Sequence, residues 1–150
     1  MGSNLNPSQR SAVIGVIDPD AYGTGTQTTA WWDTAEIEKA LAVIQAGDFV
    51  ATGVLSAKIQ QATDAAGAGV KDVAGLAITN LTQAGADDNK QALINVTAAD
   101  LDFNNGFRFA RLSMTLATAG ADASAIVLGF DFRRNDGKSH NLASVDEVVS

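Results

Sequence analysis

The chain has 150 residues, of which 46% are hydrophobic and 18% charged, and it carries a formal net charge of −7. This length and apolar content suit one folded domain with a sizeable core and exclude a disordered chain. The acidic balance speaks against binding to nucleic-acid phosphates or an anionic membrane, and the lack of cysteine rules out disulfides and thiolate chemistry and fits assembly in a reducing cytoplasm.

Residues 1–27 read as an irregular extension, with both prolines (Pro7 and Pro19) and Gly15, Gly23 and Gly25. Its apolar residues Val13, Ile14, Val16 and Ile17 need cover. Either the segment is an arm that reaches a neighbouring subunit, or it packs on its own domain. The patch is too short for a signal sequence or a membrane span. Asn6 breaks a myristoylation motif. The chain therefore reads as made in the cytosol, where the sequons at Asn80 and Asn95 carry no glycan.

A globular unit is expected over 28–134. "TTAWWDT" (28–34) is β-prone, and its adjacent Trp31 and Trp32 would face opposite sides of a strand. The stretch from Asp33 to Gly47 can be read two ways. As a helix it has Asp33 as N-cap, Glu36 at N3, Gly47 at C′, and Ile37, Ala40, Leu41 and Ile44 on one face. As a strand it is apolar on both faces. Local chemistry leans to helix. In "GVLSAKIQQATD", Leu55, Ala57 and Ile59 alternate with Ser56, Lys58 and Gln60, the pattern of a strand with one solvated face.

"DAAGAG" (64–69) is turn chemistry. Further strands are expected at "LAITNLTQ", "QALINVTAADL", "FRFARLSMTLATA" and "AIVLGFDFRR". Asn105-Gly106 predicts a tight turn that would join the two strands around it as a hairpin. Leu55, Ile59, Leu112, Met114, Leu116, Ile126 and Leu128 are the expected core. A polar tail is expected over 135–150. Strand-length spacing of turns predicts an all-β antiparallel sandwich.

"FRFARLSMTL" (107–116) poses a problem, because Ala110, Leu112, Met114 and Leu116 already supply one apolar face. Phe107 and Phe109 begin a second, followed by Arg111. Either a bulge returns the two phenylalanines to the core, or they form a contact surface.

Little in the sequence points to catalysis or to a cofactor. The single histidine, His140, lies in the polar tail, so no Cys–His pair can form and a zinc site is disfavoured. "DPDAYG" (18–23) copies half a calcium loop but lacks its closing Glu. Asp87/Asp88 and Asp100/Asp102 read as solvated acidic loops. No enzyme, metal or cofactor is expected. Arg108, Arg111, Arg133 and Arg134 lie on or just after the last two expected strands. If those strands are neighbours, they make a local basic spot that either pairs with carboxylates such as Asp131 or anchors an acidic partner.

Several segments together resemble a group of small virion proteins of tailed bacteriophages. They are Lys58-Ile59-Gln60-Gln61-Ala62-Thr63-Asp64, the turn glycines Gly67 and Gly69, Lys71-Asp72-Val73, Arg111-Leu112-Ser113-Met114-Thr115, and 126–130. The resemblance spans 31–132. It implies a jelly-roll-like β-sandwich and a strand, not a helix, at 37–49, and we adopt the strand on that ground. It also implies a head decoration (cement) or head spike protein on the capsid exterior, made in the bacterial host cytoplasm.

The partners expected on this reading are the major capsid protein and the chain itself, as a homotrimer. The candidate interface residues are Val13, Ile14, Ile17, Phe107, Phe109, Arg111, Arg133 and Arg134. The rival readings are a tail or tail-tube component and a carbohydrate-binding spike that stacks sugars on tryptophan.

Overall fold

Alternating side chains on β-prone segments build two antiparallel sheets, packed face to face. The computed structural model describes residues 6–133 and 144–149. Arg134 and His140 lie outside the described residues, and the expected polar tail is described only at 144–149, as turn and coil.

A short helix α1 (Pro7–Arg10) precedes ten strands: β1 (Ala12–Tyr22), β2 (Gly25–Thr28), β3 (Trp32–Asp33), β4 (Ile37–Phe49), β5 (Val54–Ala62), β6 (Lys71–Ala77), β7 (Leu81–Thr82), β8 (Gln91–Thr97), β9 (Phe109–Ala117) and β10 (Ala121–Phe132). One sheet has the order β1-β10-β4-β8. The other has the order β2-β9-β5-β6, with β3 on β9 and β7 on β5. The first long strand pairs with the last and the chain crosses repeatedly from one sheet to the other, so the sandwich is jelly-roll-like.

Three expectations need correction, and one segment that local chemistry and the resemblance read differently is decided. First, the described part of the extension, 6–27, is not an irregular arm. Ala12–Tyr22 is an eleven-residue strand paired with β10, and Ile14 and Ile17 are buried in the domain's own core. Two register shifts, at Val13/Gly15 and Ile17/Asp20, let the strand carry its glycine and proline. Val13 is half-buried on the opposite face.

Second, the expected hairpin at Asn105-Gly106 does not form. The turn is real, with Gly106 left-handed at φ 81° after a 3₁₀ turn. However, β8 pairs with β4 and β9 with β5, so residues 98–108 cross from one sheet to the other.

Third, the helix favoured by local chemistry at 33–47 is strand β4, as the resemblance implied. The capping chemistry is used, but for a turn: Ala35 N–H donates to Asp33 Oδ1 (2.8 Å) and Glu36 N–H to the Asp33 carbonyl (3.1 Å). The chain then leaves extended and is hydrogen-bonded on both sides, by β10 and β8.

Fourth, Ile126 and Leu128 are not in the core. Strand β10 turns Ala121, Ala123, Ala125 and Val127 inward, and its larger alternating residues face out and are half-buried. β4 does the same, with Ala40, Ala42, Ile44 and Ala46 inside. The reason lies across the sandwich. There the second sheet supplies bulk: Leu55, Ile59, Leu112 and Met114 are all 0% exposed, and Leu116 and Trp32 are buried beside them. A thin alanine layer leaves room for that thick leucine layer, because side chains from both sheets must fill a gap of about 10 Å. Full burial of each Leu or Ile stabilises by about 1.5–3 kcal/mol.

Candidate functional site: an aromatic–cation face

Strand β9 pairs with β5 in the register Phe109↔Ala62, Gln60↔Arg111 and Lys58↔Ser113. Its inward set is Ala110, Leu112, Met114 and Leu116, as expected from the alternation. Phe109 and Arg111 therefore face outward, and no register shift turns Phe109 back into the core. Phe107, Phe109 and Arg111 are all half-buried.

These side chains are organised as cation–aromatic pairs. The Arg111 guanidinium lies 4.5 Å from the Trp31 ring centroid, Lys71 Nζ 4.0 Å from Phe107, and Arg108 Cζ 5.1 Å from Phe109. Proteins average about one significant pair per 70–80 residues. Three involving residues clustered around one end of β9 mark a concentrated surface. Trp32 pairs with Ala110 and is buried, which leaves Trp31 on the outer side. The turn at Asp64–Gly69 presses on Trp31: a Cβ at Gly67 would sit 3.0 Å from Trp31 Nε1, and Gly67 has φ +90°. Asp64 Oδ1 shapes that turn by accepting the N–H groups of Ala66 and Ala68, each at 2.9 Å.

The charges are mostly satisfied from within. Lys71 pairs with Asp102 (2.6 Å), Arg108 with Asp33 (2.6 Å) and Lys58 with Asp72 (2.7 Å). The Lys71 ammonium, together with the Asn105 amide, holds the Asp102 carboxyl below its ordinary pKa. Lys58 lowers that of Asp72 in the same way, with help from Gln60. Arg111 differs. Its Nε donates to Gln60 Oε1 at 3.0 Å, and among the described residues no carboxylate pairs with it. Its remaining N–H donors suit a planar acceptor such as a carboxylate.

The three described arginines of that set do not form one spot. Arg111 lies on β9 of the second sheet and Arg108 just before it, whereas Arg133 follows β10 in the first, with its N–H on the Glu36 carbonyl (2.9 Å). Asp131 pairs with Lys39 at 2.7 Å rather than with an arginine. Of the candidate interface residues, the structure brings together Phe107, Phe109 and Arg111. It places Ile14 and Ile17 in the core, and Val13 and Arg133 elsewhere.

The sequence reading missed the parts played by Lys71 and Gln60. The alternation of β5 did put Gln60 on the solvated side, but its pairing with Arg111 spans 51 residues and has no local signal.

Carboxylates of the acidic loops hold backbone N–H groups. Asp88 Oδ1 accepts from Phe49 N–H (2.8 Å), Asp87 Oδ2 from Thr82 N–H (2.9 Å) and Asp100 Oδ2 from Thr97 N–H (2.7 Å). Among the described residues, no group of three or more His, Asp or Glu is placed to hold an ion. No protein-family model matches the chain. No curated protein matches it either.

Proposed function

We propose that the protein is a non-enzymatic virion structural protein that binds the exterior of a tailed-phage capsid and reinforces it. The observation that carries this reading is the outward, half-buried placement of Phe107, Phe109 and Arg111 beside Trp31. Aromatic and arginine side chains of this kind are enriched at the centres of protein interfaces. The resemblance of residues 31–132 to small virion proteins of tailed phages supplies the partner class: the major capsid protein.

The mechanism is mass action. A subunit that binds the assembled lattice but not its separated parts stabilises the lattice, and many copies multiply a modest contact. Arg111 would supply the fork for an acidic group on the shell, with the aromatic rings burying apolar area around it.

The test is to mix purified protein with undecorated capsids and image the particles. Density on the outer surface, lost with the double variant Arg111→Ala/Phe109→Ala, is the expected result. Failure to bind any capsid, with growth of rings or tubes, would install the tail reading instead. Binding to an immobilised glycan that depends on Trp31 would favour the carbohydrate reading. Against that reading, Trp32 is buried and the Trp31 ring is already covered by Arg111.

A further inference from the structure

The outermost strand of a sheet has one row of backbone groups with no neighbouring strand, and three of the four outermost strands among the described residues are interrupted. β1 contains Pro19 and two register shifts, and β2 is four residues long. β6 carries Lys71, Asp72 and a left-handed Gly75, and pairs with β5 across a shift. β8 is the exception. Its seven residues, Gln91–Thr97, include no charge, glycine or proline, and they pair with β4 without a shift.

The hydrogen bonds around β8 fix which way its backbone groups point. The Lys90 carbonyl accepts Ala46 N–H at 2.9 Å, so residues 90, 92, 94 and 96 turn their backbone groups to β4. Gln91, Leu93 and Asn95 turn theirs to the open edge. On either side of these three the next outward N–H is already taken. Asn89 N–H donates to the Gly47 carbonyl (3.1 Å), and Thr97 N–H to Asp100 Oδ2 (2.7 Å). The same three residues have exposed side chains, with Leu93 60% exposed.

This open stretch is symmetric about Leu93. An amide side chain stands two residues away on each side, and an occupied N–H four residues away on each side. A two-fold interface sets residue i against j and j against i. An antiparallel copy turned about Leu93 meets that condition, with Leu93 opposite its own counterpart and Gln91 opposite Asn95 in both directions. The outward N–H and C=O groups of all three residues are then paired, the two leucines meet, and each Gln amide meets an Asn amide. Moving the axis to Asn95 would set Leu93 against Thr97, and moving it to Gln91 would set Leu93 against Asn89. Both of those N–H groups are occupied.

We infer that β8 pairs with β8 of a second copy of the chain, antiparallel about Leu93, so that two four-stranded sheets become one continuous sheet. The contact uses up that edge in both copies. It does not rest on the capsid reading, whose surface lies on the other sheet.

The test is light scattering on the full-length protein without capsid, over a concentration series. Twice the mass of one chain is expected for the unaltered protein. Gln91→Lys/Asn95→Lys sets like charges opposite each other and should raise the dissociation constant about tenfold or more. Gln91→Lys/Asn95→Glu sets opposite charges there and should keep the dimer. Both side chains are exposed, so the far-ultraviolet dichroism of each variant should match that of the unaltered protein. If a double variant fails to fold, Leu93→Cys decides. The chain has no cysteine of its own, and the axis brings the two introduced thiols within disulfide reach, so air oxidation should link the copies. A mass of one chain or of three for the unaltered protein overturns the inference, and so does failure of the copies to link. A dimer that the two-lysine variant leaves intact places the contact on another edge or face and also overturns it. Equal dissociation of the two charged variants overturns the register. Capsid binding is read separately with the Arg111 variant, so the two proposals fail independently.

Discussion

The Arg111 guanidinium stacks on Trp31 at 4.5 Å while its Nε is tied to Gln60 at 3.0 Å, so the side chain is held at two points on the outside of the sandwich. Loss of an exposed cation–aromatic contact costs only about 0.5–1 kcal/mol. Arg111→Ala should therefore change the urea midpoint little while abolishing the proposed attachment to capsids. Arg111→Lys keeps the charge but loses the planar fork, and should recover folding stability more fully than binding. A loss of fold with either variant would place the role of Arg111 in the core.

Deletion of residues 1–27 removes all of β1, an edge of the first sheet, and most of β2. Ile14 and Ile17 leave the core with it, and the β10 backbone loses a hydrogen-bonded neighbour. The truncated chain should lose its cooperative thermal transition. A folded truncate would contradict the burial of these two residues.

The thickness argument predicts an asymmetry between the sheets. Leu112→Ala should cost about 2–5 kcal/mol, since its side chain is fully buried in the thick layer. In the thin layer the damage comes from added bulk, and Ala42→Leu should cost about 1–3 kcal/mol through overpacking. Ile126→Ala, on the outer face, should cost a single chain far less than Leu112→Ala. Denaturant unfolding of the three variants checks all of this, and equal costs for Leu112→Ala and Ile126→Ala would show the register of β10 to be shifted by one.

Asp102 and Asp72 make a small contribution to the response to acid. Both carboxyls have pKa values below the ordinary 3.8, Asp102 chiefly through Lys71 and Asp72 chiefly through Lys58. A depressed carboxyl stabilises the fold fully above its unfolded pKa, and the effect is lost as pH falls through the folded value. Their contribution should therefore be flat near neutral pH and decline only below about pH 4. Both groups are solvent-accessible, so the effect is small and screened by salt. Melting temperatures at low ionic strength should show a shallower acid decline for Asp102→Asn. An identical decline would remove the ion pair from the account.

Strands β5 and β9 were legible in the sequence because each has one clearly polar face from Lys58, Gln60, Arg111 and Thr115. Period-two alternation then has a single solution. Strand β10 has two apolar sets, and side-chain size pointed to the wrong one. Ile126 and Leu128 are larger than Ala125 and Val127, but the choice was made by the bulk of a sheet distant in sequence. Asp33 and Glu36 misled in another way, since the same hydrogen bonds start a helix or close a turn, and only the neighbours of β4 decide between them. Phe107 and Phe109 were visible in the sequence as a second apolar set, and both lie half-buried outside the core cluster. The cationic partner of Phe107, Lys71, was not visible, because its approach to that ring depends on how β6 lies along β5.

The two register shifts in β1 have a consequence for crowding. With Pro19 between Asp18 and Asp20, one backbone position lacks an N–H, and the shifts at Val13/Gly15 and Ile17/Asp20 interrupt the regular spacing of the rest. This edge is a poor template for another strand. Copies that meet at high concentration are thereby discouraged from adding a strand at this edge.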